Sequence, residues 1–149
     1  MSDDDAARSN GGDPVDGHLP TPEPHVTPET EAYWEAAGEG RLLVGYCPDC
    51  DEHFFYPRSH CPRCAGTDVE YVEAAGTGTI HARTVVRQAD GQYANAVPYV
   101  LAYVELDEGP RMLTNVVEAD PEDVEVGHRV EVTYDEVPGE VALVRFRPV

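Results

Sequence analysis

The chain has 149 residues, 41% hydrophobic and 26% charged, which is enough for one ordinary domain or two small ones that share a core. Its mean hydropathy of -0.44 and the lack of a long apolar run exclude a membrane-spanning helix. Aspartate and glutamate number 29 against ten arginines and no lysine, which gives a formal net charge of -19.

The acidic residues are spread along the chain and are not collected in a tail. This pattern is typical of proteins from salt-rich cells, where the Debye length falls to about 3 Å at 1 M and charge repulsion is screened. The sequence therefore predicts a halophilic protein. The N-terminus, MSDDDAARSN, lacks the apolar segment of a secretory signal, which predicts a cytoplasmic location where cysteines stay reduced and available to metal.

The first two segments are a tail and a helix. Residues 1–26 are rich in Asp, Gly and Pro and are predicted to be a disordered acidic tail. Residues 27–40 are predicted to form a short N-terminal helix, capped by Thr27. Tyr33 and Trp34 give this helix an apolar side. They either pack on the core or dock on a partner, since a helix of about ten residues is marginal alone.

The four cysteines of the chain form two C-x2-C pairs, ten residues apart, within a predicted ribbon at residues 41–70. Each pair places two thiolates on one tight turn, and two facing pairs supply the soft ligands of a closed structural zinc site. The predicted metal ligands are Cys47, Cys50, Cys61 and Cys64. Iron is the alternative metal, because a rubredoxin-like pair of knuckles accepts either. His53 and His60 are expected to lie outside this set.

Residues 71–149 are predicted to form a barrel. Five segments rich in Val, Thr and Tyr predict strands: TGTIHARTVVR, PYVLAYVEL, RMLTNVVEA, HRVEVTYDEV and VALVRFRPV. Between the third and fourth lies DPEDVEVG, a polar turn or single helical turn. Five antiparallel strands with such an insert suit an OB-fold. The expected fold class is mainly β: an N-terminal helix, a rubredoxin-like zinc ribbon and a C-terminal five-stranded OB-fold barrel.

The sequence predicts a binding module and not an enzyme. With all four cysteines on a metal no thiol nucleophile remains, and a closed four-thiolate site has no open position for Lewis-acid chemistry. The chain contains no G-x-S-x-G and no H-E-x-x-H motif. GTGT at residues 76–79 lacks the strand-then-helix setting of a phosphate loop. The cysteine segment is therefore interpreted as a structural clip.

Three stretches carry a resemblance that covers nearly all of the chain after the tail: YWEAAGEGRLL, the C-x2-C-x10-C-x2-C ribbon containing FYPR, and PYVLAYVELDEGPRMLTNVVEADPEDVEVGHRVEV. In these the chain resembles the Zn-ribbon domain-containing OB-fold proteins. The resemblance implies a non-catalytic acyl-CoA-binding accessory or scaffold subunit of a thiolase-type complex, acetoacetyl-CoA thiolase with HMG-CoA synthase in the mevalonate pathway. The chain departs from the family pattern at Tyr56, where proline is usual, and at Asp51 and Ala65, where glycine commonly follows each knuckle.

Acyl-CoA binding requires a groove for the pantetheine arm and cations for the phosphates, and arginine suits bidentate phosphate contacts. The candidate ligand-binding residues are Arg58 and Tyr56 on the ribbon, with Arg83, Arg87 and Arg111 on the barrel. Any one of these arginines has the plainer alternative of balancing an acidic neighbour. Tyr33 and Trp34 are the candidate partner-binding residues, and Phe55 is expected to plug the junction between ribbon and barrel.

Two other functions compete with acyl-CoA binding. The first is a nucleic-acid-binding zinc ribbon and OB-fold protein, because both modules bind nucleic acid through basic grooves and stacking aromatics. The sequence has no Lys/Arg cluster, which favours the acyl-CoA interpretation. The second is a pure scaffold that joins two enzymes and contacts no ligand.

Overall fold

The structure is a computed structural model that describes residues 19–139 and 141–149. Most of the predicted acidic tail thus lies outside the described residues. Among the described residues the regular elements are α1 (Glu31–Gly38), β1 (Leu43–Cys47), β2 (Glu52–Phe54), β3 (Glu70–Glu73), β4 (Thr77–Val86), β5 (Tyr99–Leu106), β6 (Arg111–Val116), β7 (Arg129–Val137) and β8 (Val141–Pro148). Single 3₁₀ turns occur at Gly91–Tyr93 and Pro121–Asp123. Within this part of the chain no helix is long and apolar enough to cross a membrane.

The helix begins later than predicted. Thr30, and not Thr27, precedes the first helical turn, and its carbonyl accepts a hydrogen bond from the N–H of Trp34 at 3.1 Å. The N–H of Thr27 instead donates to Thr30 Oγ1 at 3.1 Å, and the two hydroxyl oxygens lie 3.0 Å apart. The predicted cap at Thr27 is therefore wrong, because this side chain is used in the turn before the helix. After α1, a left-handed φ of +79° at Gly40 turns the chain towards β1.

The ribbon is a three-stranded antiparallel sheet in the order β2–β1–β3. Gly45 of β1 lies opposite Phe54 of β2, and a Cβ at Gly45 would collide with the Phe54 ring. Only glycine leaves room for the ring here, so Phe54 packs directly on the β1 backbone. Phe54 is buried and forms a small core with Cys47 and Cys61.

Strands β4 to β8 form a closed barrel in the order β4–β5–β6–β8–β7, which confirms the predicted five-stranded OB-fold. The expectation that all five strands are antiparallel is wrong at one pair, because β6 and β8 run parallel where Val116 lies opposite Phe146. The five strands coincide with the five predicted segments. The insert after the third barrel strand is a single 3₁₀ turn, Pro121–Asp123, as predicted. β4 pairs with β5 along most of its length but pairs with β7 only over residues 77–79.

The short seam between β4 and β7 carries a charged cluster. Arg129 donates to the two carboxylate oxygens of Asp107 at 2.8 and 3.0 Å and to Thr79 Oγ1 at 3.1 Å. The hydroxyl of Thr77 donates to the same carboxylate at 2.5 Å. The bond from Arg129, followed by that from Thr77, lowers the pKa of Asp107 to about 2. Asp107 therefore stays ionised at neutral and mildly acidic pH and supports barrel closure there.

Helix, ribbon and barrel share one hydrophobic core. Tyr33 of α1 and the ribbon residues Leu42 and Val44 lie in the same cluster of buried side chains as Phe146 of β8. Leu42, Val44 and Phe146 are each no more than 2% exposed. The helix packs on both β8 and β1, across the junction of ribbon and barrel. Because these side chains share one core, the stability of the ribbon is coupled to that of the barrel.

A buried arginine attaches the chain before α1 to the barrel. Arg145 is 6% exposed and donates to the carbonyl oxygen of Pro20 at 2.8 Å, to Asp135 at 3.1 Å and to Asn115 Oδ1 at 2.5 Å. Leu19 is 5% exposed. The described end of the segment predicted to be disordered is thus packed on the barrel, because the core covers Leu19 and Arg145 binds the next carbonyl.

Candidate metal centre and ligand cleft

The four cysteine side chains converge on one point. All four Sγ atoms lie within 4.8 Å of one another. Sγ of Cys47 is 3.8 Å from that of Cys64, and Sγ of Cys50 is 3.9 Å from that of Cys61. A tetrahedron with Zn–S bonds of about 2.3 Å has S–S edges of about 3.8 Å. The thiols therefore fit a single tetrahedral metal ion.

Backbone N–H groups near Cys61 and Cys64, the second C-x2-C pair, stabilise the thiolate form that binds a cation. The N–H groups of Arg63 and Gly66 donate to Sγ of Cys61 and Cys64 at 3.3 and 3.4 Å. A hydrogen bond from the backbone of Cys64 is the largest cause that lowers the pKa of Cys61 to about 7. Contact with neighbouring thiols, that of Cys64 first, raises the pKa of Cys50 to about 12. Four thiolates held this close repel one another, and a divalent cation removes the repulsion.

The ribbon histidines stand apart from the thiols, as predicted. The ring of His53 packs against Tyr46 with centroids 4.9 Å apart, and Nδ1 of His60 lies 3.2 Å from Ser59 Oγ. The group of candidate ligand atoms in the described chain contains the cysteines alone. Four thiolates close a tetrahedral site, so this centre is suited to holding the ribbon together.

The residue after the second cysteine of each knuckle has a left-handed backbone. φ is +53° at Asp51 and +63° at Ala65, which explains why glycine is common at these positions. At Asp51 the strain is offset, because Oδ1 accepts a hydrogen bond from the hydroxyl of Tyr46 at 2.7 Å. The methyl group of Ala65 can make no such bond.

Replacing Ala65 with glycine is expected to stabilise the zinc-bound protein by about 1 kcal/mol, because a Cβ is unfavourable at a left-handed residue. The gain would appear as a higher midpoint of denaturant unfolding at fixed salt and zinc. The matched control is Ala94→Gly, at an exposed right-handed residue with φ -59°, where glycine should lower the midpoint. A lower midpoint for Ala65→Gly would contradict the strain argument.

An aromatic cleft lies where α1, the ribbon and the barrel meet. Tyr33, Trp34, Phe55 and Tyr56 line one side of it, and β6 and β8 form the other. The ring of Tyr33 lies 4.9 to 5.6 Å, centroid to centroid, from the other three. The cleft has a volume of about 310 Å³, and Arg145 is the one charged residue among those that line it. It is a mainly aromatic and aliphatic cleft without an acidic residue, in a very acidic protein.

Two larger concavities of the described chain are acidic. One, of about 550 Å³, is lined by Glu31, Glu35 and Glu39. The other, of about 450 Å³, has Glu118 and Asp135 in its wall. Both repel a polyanionic ligand, so the aromatic cleft is the better candidate for binding a CoA derivative.

Two of the predicted ligand-binding arginines are already paired. Arg87 forms an ion pair with Glu122 at 2.5 Å, and Arg111 forms one with Glu105 at 3.2 Å. At these two positions the structure matches the plainer alternative, in which an arginine balances an acidic neighbour. All four partners are largely exposed, so these pairs contribute little to stability.

Arg58 and Arg83 are different, because neither makes an ion pair with a described residue. Nε of Arg58 donates to the carbonyl oxygen of Tyr56 at 3.3 Å, which keeps Arg58 next to a residue of the aromatic cleft. Arg83 lies on β4, on a separate surface of the barrel. The structure thus places Tyr56 and Arg58 together, and it does not gather all five predicted ligand-binding residues in one site.

The predicted partner-binding pair faces inward. Tyr33 is 3% exposed and belongs to the core, so its assignment as a docking residue is corrected. Trp34 is half-buried, and its indole Nε1 is buried; it makes no hydrogen bond of good geometry with a described residue, although it lies close enough to the Tyr56 hydroxyl to act on the pKa of that group. Phe55 is half-buried against Tyr33, as expected for a plug.

Sequence reasoning missed Arg145 as a residue of the cleft. Leu143 offers a sequence signal for the burial of Arg145, because side chains two positions apart on β8 lie on the same face of the strand. An apolar residue two positions earlier indicates that this face is covered. The polar partners of Arg145, at residues 20, 115 and 135, are too distant in sequence to be recognised without the fold.

A three-stranded ribbon with a four-thiolate centre, joined through a shared core to a closed OB-fold barrel, defines the class of zinc ribbon–OB-fold proteins. Residues 34–70 match the family model for the rubredoxin-like zinc ribbon domain of ChsH2, and residues 71–135 match that for its C-terminal OB-fold domain. The chain belongs to the DUF35 family. This confirms the resemblance drawn from the sequence and makes zinc the metal that the centre is built to hold.

Three relatives place the chain within this family. It is 36% identical to a probable enoyl-CoA hydratase alpha subunit of Thermomonospora curvata over 85% of its own length, but it spans only 40% of that protein. It is 33% identical to a DUF35 domain-containing scaffold protein of Methanothermobacter thermautotrophicus, over 73% of this chain and 84% of the relative. A solved structure titled Ltp2-ChsH2(DUF35) aldolase superposes with a TM-score of 0.74 at 36% identity, covering 85% of this chain and 98% of that one.

Proposed function

We propose that this chain is a non-catalytic, acyl-CoA-binding accessory subunit of a complex with a thiolase-fold enzyme. The observation that carries the proposal is the acid-free aromatic cleft between helix, ribbon and barrel. In a chain with 29 acidic residues, a largely apolar cleft without a carboxylate is suited to the arm of a negatively charged ligand. Relatives named as scaffold proteins, and one whose structure is titled an aldolase, support an accessory role beside an enzyme.

The cleft fits the pantetheine arm of CoA. Its aromatic walls suit a narrow, flexible chain, and its volume of about 310 Å³ is at the lower end for small-molecule sites. The buried indole N–H of Trp34 makes no hydrogen bond of good geometry with a described residue but lies close enough to the Tyr56 hydroxyl to act on its pKa, and an amide carbonyl of pantetheine would compete for this donor. The adenosine phosphates then lie outside the cleft, where Arg58 is the nearest candidate to bind them, beside Tyr56.

In this proposal the chemistry belongs to the partner. All four cysteines converge at the metal centre, so the nucleophile comes from the thiolase-fold enzyme. Holding the pantetheine arm between active sites raises the effective concentration of the acyl group without changing the reaction. The specific partners that we propose are acetoacetyl-CoA thiolase and HMG-CoA synthase of the mevalonate pathway.

The test compares two arginines of the ribbon. The tagged chain is purified in molar salt, the thiolase-fold enzyme bound to it is identified, and acyl-CoA turnover is measured for the reconstituted complex. Arg58→Ala is expected to raise KM for acyl-CoA about tenfold, the loss of one charge-assisted hydrogen bond, with zinc content and assembly unchanged. Arg63→Ala is the matched control, because Arg63 is exposed on the same ribbon and already pairs with Glu52.

Three outcomes would decide against the proposal. A chain that elutes alone at high salt, with its thiolase-fold enzyme present, is not an accessory subunit. A photoreactive acyl-CoA that labels only the enzyme makes this chain a scaffold without a ligand. Tight binding of single-stranded DNA at the same salt would favour the nucleic-acid alternative, although seven arginines of the described chain are paired with carboxylates and leave little basic surface.

A further inference from the structure

The chain before α1 crosses the barrel as an irregular segment. Residues 19–26 form neither helix nor strand, and we name them the strap. Leu19 and Pro20 are buried, and Leu19 lines the concavity of about 450 Å³ on the barrel. Pro22 is exposed and lines the aromatic cleft. The strap therefore runs from the larger concavity to the cleft.

Arg145 lies under the strap, between the two concavities. It lines the aromatic cleft, and its Nε donates at 3.1 Å to Asp135, which is in the wall of the larger concavity. Its Nη2 donates to the carbonyl oxygen of Pro20 at 2.8 Å. The strap thus helps to bury a guanidinium that belongs to the wall of the cleft.

The two ends of the strap are attached with unequal strength. Among the hydrogen bonds of the described residues, the bond from Arg145 is the only one that reaches the strap. Just beyond its other end, the Glu29 carboxylate accepts hydrogen bonds from the N–H and the hydroxyl of Ser59 at 2.5 and 2.7 Å, and the Glu29 carbonyl accepts one from the Tyr71 hydroxyl at 2.8 Å. Segments with few bonds open locally at a low free-energy cost. The strap can therefore lift at its first residues while Glu29 stays on the ribbon.

The carbonyl of Pro20 uses a donor that a ligand in the cleft can use. This carbonyl is an amide oxygen held by a buried guanidinium, and a hydrogen bond from a charged donor is stronger than a neutral one. The pantetheine arm of CoA carries amide carbonyls of the same kind. Strap and pantetheine therefore compete for the Nη2 of Arg145 and for the space beside Pro22.

We propose that the strap closes the aromatic cleft in the free chain and lifts when the pantetheine arm of an acyl-CoA binds, so that Arg145 exchanges the Pro20 carbonyl for an amide carbonyl of the ligand. This inference rests on the proposed function. Closure reduces the apparent affinity in proportion to the small fraction of molecules whose strap is open. Loosening the strap therefore tightens the binding of acyl-CoA, although it also weakens the packing of the strap on the barrel.

The experiment titrates acetyl-CoA into the full-length zinc-bound chain in molar potassium chloride. Trp34 is the one tryptophan of the chain and lines the cleft, so its fluorescence reports binding. Leu19→Ser removes the buried apolar anchor of the strap and is expected to lower Kd roughly tenfold. Pro22→Gly gives the open strap more conformational freedom and is expected to lower Kd roughly threefold. Val26→Ser is the matched control, because Val26 is an exposed strap residue outside the cleft, and its Kd should equal that of the wild type.

The sign of the effect separates a strap from a segment that only supports the fold. Leu19→Ser should lower the melting temperature and yet tighten binding, whereas a purely structural role would weaken binding or leave it unchanged. If the wild type binds acetyl-CoA and neither loosened variant binds it more tightly, the inference is overturned while the proposed function stands. S-acetylpantetheine, which lacks the nucleotide, should show the same ratios; an effect confined to acetyl-CoA would overturn the exchange at Arg145. If neither the wild type nor any variant binds either probe, the proposed function fails, and the inference fails with it.

Discussion

Replacing Cys61 with serine is expected to abolish stoichiometric zinc binding and to unfold the ribbon. Cys61 is 4% exposed, and its Sγ lies 3.9 Å from that of Cys50. The candidate ligands at this centre in the described chain are the four cysteines alone, so no further side chain there can replace the lost thiolate. Structural zinc contributes roughly 10 kcal/mol or more of apparent binding free energy to small zinc folds. Losing one thiolate should therefore lower the free energy of unfolding by at least about 3 kcal/mol.

The measurements are the metal-to-protein ratio by elemental analysis and the thermal unfolding curve at constant salt. Elemental analysis also distinguishes zinc from iron. His60→Ala is the matched control: it removes an exposed imidazole next to Cys61 that is not among the metal ligands, and it should leave both values unchanged. Wild-type protein that is free of metal when purified without chelator would end the metal interpretation.

Transfer from molar potassium chloride to dilute buffer is the second large effect, and it is expected to expand or unfold the protein. The chain carries a formal net charge of -19, and among the described residues many exposed carboxylates make no ion pair with an arginine. In dilute buffer the Debye length grows to about 30 Å, so repulsion acts across the whole molecule. In a chain of this length each kcal/mol of lost stability lowers the melting temperature by roughly 2–4 °C.

The thermal unfolding curve is recorded at decreasing concentrations of potassium chloride with zinc held constant. A sucrose series separates charge screening from general exclusion effects, because sucrose stabilises compact states without screening charge. A melting temperature that is the same in molar salt and in dilute buffer would contradict the halophilic interpretation.

The features that could be predicted from the sequence are those that depend on residues close together along the chain. The cysteine pairs are predictable because a C-x2-C knuckle places its thiols by local geometry, and the barrel strands because Val, Thr and Tyr recur in short runs between turns. The start of the helix was missed because Thr27 and Thr30 are both good capping residues, and only their mutual hydrogen bonds decide between them.

The aromatic cleft could not be predicted from the sequence. Its walls come from α1, the ribbon and the barrel, and no local pattern reports how three elements converge. The same holds for the arginines. Arg129 meets Asp107, and Arg87 meets Glu122, across more than twenty residues of chain, so pairing at these positions is invisible to a linear motif.

The bond between Arg145 and the carbonyl of Pro20 has a consequence for how this chain is compared with others. Every amino acid supplies a main-chain carbonyl, so the attachment specifies nothing about the side chain at position 20. Substitutions there would leave the anchor in place, and a sequence alignment would show a variable, uninformative column. The attachment depends on the side chain of Arg145 instead. Replacing this arginine would release the segment around Pro20, although the sequence of that segment is unchanged.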